Sequence, residues 1–410
     1  MSRVVGDYAF ELFPELTSDV PLPELAGDMP SVEDGVLPSQ EIEKLIRSGR
    51  IHATENAARI ESQQIQPASL DLRLGRVAYR LQASFLPGLE STVENKLASL
   101  FMAELDLSRP TVLEKQCVYL APLMEVLRLP DDLAAKANPK STTGRLDVFT
   151  RLIIDGGTEF EFVRKGYSGP LYAEIVPRTF SVIVHPGLSL SQLRFIRGRA
   201  PSSDTHLRDL DKEEGLIYLD EGNPGTAEIR DGLKLSVSLQ GDRDTDVVAY
   251  RGKKNTPLVD LKKVDHYDVD RFWDPISSRR DGRLILNPGD FYILASRERV
   301  RVPPQYAAEM VPFDPSVGEF RIHYAGFFDP GFGYGDSNIT GTRAVLEVRA
   351  HETPFVIEHG QVVGRLVYSR VLDVPEKIYG KSIGSSYQRQ ELALSKQFRR
   401  RDRPSPAAGE

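Results

Sequence analysis

The chain has 410 residues, of which 40% are hydrophobic, so it is long enough to fill the cores of two domains. Its 59 acidic and 52 basic residues give a formal net charge of −7, which argues against a protein that attracts nucleic acid through a generally basic surface. Cys117 is the only cysteine, which excludes an internal disulfide and a metal site built from several thiolates. No stretch is long and apolar enough to span a membrane, and the N-terminus has no signal-peptide pattern, so we expect a cytoplasmic protein without nucleic-acid or membrane partners.

The first predicted elements are an extension and a helix. Residues 1–37 are rich in proline and acidic side chains, which favours an N-terminal extension over a core element. In "LPSQEIEKLIRSGRI" Ser39 is the expected N-cap, and an apolar stripe that includes Ile42 and Ile46 runs to Gly49. This spacing predicts a helix that begins at Ser39 and ends before the glycine.

From residue 38 onward, short segments rich in Val, Ile, Leu, Tyr and Phe are separated by Pro and Gly, as in "GYSGPLYAEIVPRTFSVIVHPGLSLSQLRF". The pattern predicts an all-β fold with a few short helices, arranged as compact barrels or sandwiches. The polar residues 200–250 are expected to be a linker or insertion between a first barrel, 38–199, and a second barrel, 251–375. Residues 376–410 are expected to form a C-terminal segment and tail, of which "KQFRRRDRPSPAAGE" is expected to be disordered.

An internal repeat is the reason for predicting two barrels. Residues 125–139, "EVLRLPDDLAAKANP", share Glu, Arg, Pro, Ala, Ala and Pro with residues 298–312, "ERVRVPPQYAAEMVP", at an offset of 298 − 125 = 173. The same offset relates Glu174 to Glu347, while "ASLDLRLG" at 68–75 has a weaker partner in "PLVDLKKV" at 257–264. A period of this length does not fit a solenoid and predicts two copies of a whole domain, which we name copy one and copy two.

One polar stretch of copy one, "KSTTGR" at residues 140–145, is a candidate site. Its turn supplies N–H groups, hydroxyls and positive charge suited to phosphate oxygens, although an ordinary polar turn has the same composition. Copy two reads "FDPSVGEF" at this place, with Asp314 instead of the lysine and Glu319 instead of the arginine, so only copy one is predicted to bind phosphate there. The residues of this 140–145 loop are Lys140, Ser141, Thr142, Thr143, Gly144 and Arg145.

A glutamate lies inside an otherwise apolar strand in each copy, Glu174 in "LYAEI" and Glu347 in "VLEV". A buried carboxylate must be paired, hydrogen-bonded or shifted in pKa, whereas strand alternation can also turn either side chain to solvent. The presence of a glutamate at this place in both copies favours a functional role. A buried glutamate of raised pKa suits a general base that deprotonates water. The sequence has neither the H-x-E and P-C-x-x-C patterns of zinc deaminases nor a P-loop or G-x-S-x-G motif.

Six motifs in succession resemble those of the dCTP deaminase family, relatives of the trimeric dUTP pyrophosphatases: "IEKLIRSGRI", "IQPASLDLRLG", "KSTTGRL", "GYSGPLYAEI", "HPGLSLSQLRF" and "YGKSIGSSYQRQ". The resemblance extends from about Pro38 to Gln390, stretched over two copies. It implies two tandem distorted β-barrels of the dUTP pyrophosphatase type, with active sites between barrels. It also implies zinc-free hydrolysis of dCTP to dUTP and ammonia, which supplies dUTP for thymidylate synthesis. Mg²⁺ bound through the triphosphate, dCTP and dUTP as ligands, dTTP as an inhibitor and a homo-oligomer belong to the same expectation.

The resemblance further implies roles for single residues. Glu174 resembles the catalytic glutamate, and Ser141 and Arg145 belong to the loop that holds phosphate and orients the attacking water. The hairpin before Glu174 is longer than the family's Asp-Pro-Gly turn, which copy two keeps better in "FFDPGFGYG", and Ser386 stands where a tail lysine is common. Beyond the 140–145 loop, the implied nucleotide-binding residues are Asp155, Tyr172, Ala173, Tyr379, Tyr387 and Gln390.

Two arrangements of the site follow from these motifs. Glu174 faces the substrate if it works with the loop of its own copy, and we expect this arrangement because copy one retains the loop. Glu347 takes its place if the loop of copy one meets the hairpin of copy two in a composite site.

Two other functions compete with dCTP deamination. The same barrels can direct a water at the α-phosphate, which would give a dUTP pyrophosphatase or a bifunctional enzyme that releases dUMP. A non-catalytic nucleotide sensor is the third possibility, since copy two has lost the loop. Release of ammonia, release of pyrophosphate and unchanged dCTP distinguish the three functions.

Overall fold

A computed structural model describes residues 34–54, 57–220, 223–241, 245–312, 320–322, 326–335, 340–350, 352–380 and 390–399. Strands dominate this part of the chain, which confirms the predicted all-β fold with a few short helices. No helix among the described residues is long and apolar enough to cross a membrane. The helices of the described residues are α1 (Ser39–Arg47), α2 (Val93–Leu100), α3 (Ser141–Gly144) and α4 (Asp204–Glu214).

Helix α1 forms where predicted, but its cap is different. Pro38 is the N-cap in extended conformation, so Ser39 already lies in the first turn and its hydroxyl donates to Gln40 Oε1 (3.3 Å). The prediction that Ser39 caps the helix is therefore wrong. Ile42 is fully buried, and Gly49 takes φ 72° after the helix, a left-handed conformation that glycine adopts without steric cost.

Copy one encloses one large apolar core. Strand β7 pairs with β2, β4 and β11, and strand β13 pairs with β1, β3 and β8, all antiparallel. The strands are β1 (Gly35–Val36), β2 (Ile51–Ala53), β3 (Leu70–Arg73), β4 (Val77–Leu81), β5 (Phe101–Asp106), β6 (Thr111–Leu113), β7 (Val118–Arg128), β8 (Leu133–Pro139), β9 (Val148–Ile154), β10 (Phe162–Val163), β11 (Ser168–Pro177), β12 (Val182–Val184) and β13 (Ser189–Arg197).

Copy two has a second core and a matching set of strands. Strand β21 pairs with β25 and β17, and strand β27 pairs with β16 and β22. The strands are β14 (Ile217–Asp220), β15 (Asn223–Pro224), β16 (Leu233–Ser238), β17 (Val247–Gly252), β18 (Val259–Asp260), β19 (Trp273–Ser277), β20 (Arg283–Leu286), β21 (Tyr292–Val300), β22 (Tyr306–Pro312), β23 (Phe320–Ile322), β24 (Phe327–Phe328), β25 (Thr342–Ala350), β26 (Phe355–Glu358) and β27 (Val362–Arg370).

The strand bounds confirm the internal repeat. Strand β22 begins 306 − 133 = 173 residues after β8, and β27 begins 362 − 189 = 173 residues after β13. The pairing repeats as well, because β13 lies between β3 and β8 as β27 lies between β16 and β22. The chain therefore contains two copies of one domain.

Two predictions about the second copy are wrong. Residues 200–250 are not a linker, because Leu207 of helix α4 and Leu235 and Val237 of strand β16 are buried in the core of copy two. Strand β16 occupies the place that β3 has in copy one, so the counterpart of residues 68–75 is Leu233–Ser238 and not 257–264. The apolar residues of β16 were hidden between polar flanks. Copy two accordingly spans residues 203–375, and the name has this meaning below.

Residues 257–264 and the C-terminal segment instead tie copy two to copy one. Strand β18 adds in parallel to β12 of copy one, with Val259 opposite Val182. Phe398 packs edge-on against Phe272 and Trp273, with ring centroids 5.4 Å and 5.8 Å apart. The prediction of disorder for "KQFRRRDRPSPAAGE" is therefore wrong for its first four residues, while 400–410, like 1–33 of the extension, lie outside the described residues.

Strand β25 presents its two faces to different cores. Ala344, Leu346 and Val348 pack in the core of copy two, whereas Val345 belongs to the apolar cluster of copy one. Side chains alternate along a strand, so Glu347 shares the face of Val345 and points toward copy one.

Candidate active site

A cavity of about 480 Å³ lies between the two copies, and we name it the composite cavity. Copy one contributes the 140–145 loop, copy two contributes a turn after β24 and one face of β25, and the C-terminal segment 390–399 closes one side. Its polar and aromatic lining includes Asp71, Lys140, Ser141, Thr142, Arg145, Gln192, Phe327, Phe328, Asp329, Glu347, Tyr379, Gln390 and Lys396.

The 140–145 loop is a single helical turn with a buried base. The backbone N–H groups of Thr143 and Gly144 donate to Lys140 O at 2.8 Å and 3.0 Å, and the Thr143 hydroxyl donates to Leu190 O at 2.9 Å. Lys140 forms an ion pair with Asp71 at the cavity wall. The turn is thereby held in place, with the side chains of Ser141, Thr142 and Arg145 toward the cavity, while Thr143 and Gly144 support it from behind.

Arg145 connects the loop to the C-terminal segment. Its side chain is 3% exposed, and it donates to Gln390 Oε1 at 2.8 Å and to Ala393 O at 3.2 Å. Gln390 in turn donates to Arg343 O at 3.0 Å in strand β25, and Ser395 donates to Thr142 O at 2.9 Å. The segment therefore fixes the guanidinium of the loop against the strand that carries Glu347.

Glu347 is the carboxyl group that this arrangement places in the composite cavity. The residue is 5% exposed. Burial raises the pKa of Glu347 to about 8, the charge of Arg145 opposes this rise, and the charge of Asp147 adds to it. A carboxyl group with a pKa of about 8 exchanges protons near neutral pH, as a general acid and base must.

Glu174 lies elsewhere, which corrects the expected arrangement. Its side chain is fully buried and pairs with Arg151, whose Nε lies 3.1 Å from Glu174 Oε1. The Arg151 guanidinium stacks on the ring of Phe160 at 3.5 Å. Glu174 shares its face of β11 with Tyr172, and that face is covered by copy one's own helix α2 through Val93. The structure thus brings Glu347, and not Glu174, to the 140–145 loop.

The other predicted residues divide in the same way. Asp155 accepts a hydrogen bond from Val93 N (2.8 Å), Tyr172 lies in the cluster under helix α2, and Ala173 lies in the core of copy one. Burial raises the pKa of Tyr172 far above its usual range. These three residues do not line the composite cavity, whereas Tyr379 and Gln390 do. Tyr387 lies outside the described residues. The same is true of Asp314, Glu319 and Ser386.

Several cavity residues escaped the sequence reasoning. Asp329 takes the place expected for Asp155; its pKa is raised to about 6 by burial, against the opposing charge of Arg194. The better-kept turn "FFDPGFGYG" was the signal for it. Lys396 belongs to no recognised motif, and it lines the composite cavity. Burial and then the charge of Lys140 lower its pKa. Asp71 lies in the motif "ASLDLRLG", whose role was not assigned.

The described residues contain no group of three or more His, Cys, Asp or Glu side chains that could hold a metal ion. One carboxylate of the composite cavity is nevertheless incompletely satisfied. Asp71 is 7% exposed, and its Oδ1 has no hydrogen-bond partner among the described residues.

The chain matches two family models that together cover most of its length. The model of the 2′-deoxycytidine 5′-triphosphate deaminase N-terminal domain matches residues 33–199, and that of the C-terminal domain matches residues 203–398. The boundary between the two matches agrees with the boundary between copy one and copy two.

Relatives with solved structures or curated names are also described as dCTP deaminases. The crystal structure of 2′-deoxycytidine 5′-triphosphate deaminase from Agrobacterium tumefaciens is 49% identical with a TM-score of 0.77, over 83% of this chain and 99% of that chain. A "dCTP deaminase, dUMP-forming" of Dictyoglomus thermophilum is 24% identical over 46% of this chain and 92% of the relative. One of Nocardioides sp. is 30% identical over 34% of this chain and 69% of the relative.

The raised pKa of Glu347 predicts a pH-dependent stability. Between about pH 5 and pH 8 this carboxyl group is ionised in the unfolded chain but protonated in the folded one, so the stability it contributes falls as pH rises through that window. The side chain introduced by Glu347→Gln does not titrate, so we expect the melting temperature of this variant to gain on that of the wild type from pH 5 to about pH 8 and the difference to level off toward pH 9.

Differential scanning fluorimetry across this pH range measures the effect. Glu358→Gln, at a glutamate whose side chain is 56% exposed, is the matched control and should follow the wild type. A difference in melting temperature between Glu347→Gln and the wild type that stays constant from pH 5 to pH 9 would show that Glu347 is ionised over this whole range. That result would contradict the account of its buried position.

Proposed function

The chain belongs to the 2′-deoxycytidine 5′-triphosphate deaminase family and deaminates dCTP, and we propose that the composite cavity is where this reaction takes place. The observation that carries the proposal is the meeting of a phosphate-type loop and a buried carboxyl group of raised pKa in one cavity. The two elements come from different copies of the same domain.

The cationic side of the cavity suits the triphosphate. Lys140, Arg145 and Lys396 line it together, and Ser141 and Thr142 add hydroxyl donors. Charge-assisted hydrogen bonds to phosphate oxygens are stronger than neutral ones, and Arg145 is pre-oriented by Gln390 and Ala393. We assign triphosphate binding to this side.

Other residues of the lining suit the nucleoside. Phe327 and Phe328 offer aromatic surface for the base, and Asp329 and Tyr379 supply polar groups that suit the sugar. Gly331, in the turn that follows Asp329, has φ 95°, and a β-carbon there would lie 2.4 Å from the Ile378 side chain. The turn therefore requires glycine at this position in order to pack against the segment that carries Tyr379.

Glu347 is the proposed general base and acid. As a carboxylate it takes a proton from water, whose oxygen then bonds to C4 of cytosine as the C4=N3 double bond opens toward N3. Glu347 returns the proton to the amino nitrogen, the C4–N4 bond breaks and ammonia leaves. The remaining hydroxyl proton passes to N3, which gives the C4 carbonyl and N3–H of dUTP. Arg145, which lowers the pKa of Glu347, keeps part of the group ionised, and Ser141 is placed to orient the water.

Mg²⁺ is proposed to enter with the triphosphate. Mg²⁺ is commonly held by one or two carboxylates together with substrate phosphates, and Asp71, with its unsatisfied oxygen beside Lys140, fits that requirement. When bound, the ion would neutralise part of the triphosphate charge. A reaction without zinc, as expected from the sequence, stays a prediction.

The second candidate is a bifunctional enzyme that continues from dUTP to dUMP. The names of the relatives from Dictyoglomus and Nocardioides favour it, whereas the Agrobacterium structure is described only as a deaminase. Pyrophosphate released in step with ammonia would establish the bifunctional course, and ammonia with intact dUTP would establish deamination alone. Inhibition by dTTP, a homo-oligomer and a cytoplasmic location are proposals that rest on the resemblance and the sequence.

Replacing each glutamate in turn tests the proposed base. Glu347→Gln keeps the size and hydrogen-bonding atoms of the side chain but removes the proton acceptor, so we expect kcat to fall by at least about 10²-fold. Glu174→Gln is the matched control at the equivalent strand position and should keep turnover within a few-fold, while the orphaned Arg151 lowers the melting temperature. Ammonia release from dCTP measures both, and an active Glu347→Gln alongside an inactive Glu174→Gln would refute the proposal.

Lys396 gives a separate test of the triphosphate side. Removing one charge-assisted contact by Lys396→Met should weaken dCTP binding by about 10- to 100-fold. Binding of dCMP should hardly change, because dCMP lacks the outer phosphates. Isothermal titration calorimetry compares the two ligands, with Lys212→Met at a lysine 75% exposed on helix α4 as control. Equal losses of affinity for dCTP and dCMP would show that Lys396 does not contact the outer phosphates.

A further inference from the structure

We propose that the buried ion pair between Arg349 and Asp147 is a positioning device of the active site, which holds Glu347 against the 140–145 loop and balances the charge that Glu347 meets. Arg349 is a positioning residue in this proposal and does not touch the substrate. The inference rests on the proposed role of Glu347.

The sequence places the pair in register with the two reacting elements. Asp147 follows Arg145 by two residues in copy one, and Arg349 follows Glu347 by two residues in strand β25 of copy two. Residues two apart on a strand share a face, so Arg349 reaches copy one on the side to which Glu347 points. A bond between Arg349 and Asp147 therefore fixes the separation of Glu347 and Arg145.

The contacts between the two side chains are numerous. Arg349 Nε lies 3.3 Å and 3.2 Å from the two carboxylate oxygens of Asp147, and Arg349 Nη2 also binds Asp147. Arg349 Nη2 donates to Thr179 Oγ1 at 2.8 Å, and Thr179 Oγ1 donates to Asp147 Oδ2 at 2.6 Å. Arg349 Nη1 donates to Gly289 O at 3.0 Å. This planar, multiply bonded geometry defines both distance and orientation, which a single contact would not.

Asp147 is fixed by its backbone as well. Its side chain is completely buried, and its φ of 55° is unusual for a residue other than glycine. Asp147 N donates to Gly144 O at 2.8 Å, and Arg178 N donates to Asp147 O at 2.9 Å. A backbone conformation of this kind persists where the surroundings hold it, and here it ends the turn that carries Arg145.

Asp147 also acts on the electrostatics of Glu347. Asp147 raises the pKa of Glu347 and Arg145 lowers it, in addition to the larger effect of burial. Arg349 lies against Asp147 and balances that charge. The other charged groups that share the cavity with Glu347 are Asp71, Lys140, Asp329 and Lys396. Substitution of Arg349 removes a positive charge from the neighbourhood of Glu347, and substitution of Asp147 removes a negative one.

The two single substitutions therefore have opposite predicted effects. Arg349→Met removes a positive charge and should move the acidic limb of the kcat/KM profile up in pH, while Asp147→Asn removes a negative charge and should move it down, each by about one pH unit. The double variant Asp147→Asn/Arg349→Met should return the limb close to its wild-type position. A pair that only braced the fold would lower activity in both single variants without moving the limb in opposite directions.

Two further variants complete the experiment. Arg349→Lys keeps the charge but loses the multiple contacts, so the limb should stay in place while kcat falls; if Arg349→Met does not fold by circular dichroism, the contrast between Arg349→Lys and Asp147→Asn decides. Arg283→Met, in an exposed ion pair with Glu358, is the control and should leave both limb and rate unchanged.

The outcomes separate this inference from the proposed function. An active Glu347→Gln would overturn the proposed function and this inference with it. An inactive Glu347→Gln, together with limbs that stay in place or move in the same direction in Asp147→Asn and Arg349→Met, would overturn the inference alone.

Discussion

Side chains alternate along strand β25, and this alternation decides which residues of copy two can reach copy one. Ala344, Leu346 and Val348 fill the core of copy two, so Val345, Glu347 and Arg349 necessarily face the other way. A shift of the strand by one residue would bury Glu347 in the apolar core and turn Leu346 into the cavity. The core of copy two therefore sets the register on which the carboxyl group, its pKa and its ion-paired neighbour depend.

Residues of both copies line the composite cavity. Copy one keeps the 140–145 loop but covers its own glutamate with helix α2 and neutralises it with Arg151. Copy two keeps the glutamate and the Asp329 turn on a face that copy one covers. The C-terminal segment links these parts through Arg145, Gln390 and strand β25. The loop of copy one and the glutamate of copy two therefore meet in one cavity.

Much of the fold and part of the candidate site could be predicted from the sequence, because these features depend on local sequence patterns. The repeat, the strands, helix α1 and the 140–145 loop follow from spacing and residue type within short windows. The choice between Glu174 and Glu347 depends on which face of each sheet another copy covers, and that is decided by contacts between residues far apart in the chain. The motifs allow the composite arrangement as an alternative, and retention of the loop in copy one does not determine which of the two glutamates lies beside it.

Other failures have the same cause. Lys396 belongs to a charged tail that looks unstructured until Phe398 is seen to pack against Phe272 and Trp273. Residues 203–250 look like a polar insertion because the alternating apolar positions of β16 are few. Asp147 is an ordinary residue in the sequence and acquires its importance only from Arg349, which is 349 − 147 = 202 residues away.

The central claim is that one chain supplies both halves of its active site. Complementation between two inactive chains tests it: Arg145→Met, which lacks the loop cation, is co-expressed with Glu347→Gln, which lacks the base, so that any oligomer contains both. A site formed within each chain stays defective in every combination, and the account predicts ammonia release no higher than that of the two variants alone. Recovery of a substantial fraction of wild-type turnover in the mixed preparation would show that the loop and the glutamate come from different chains, and would contradict the account.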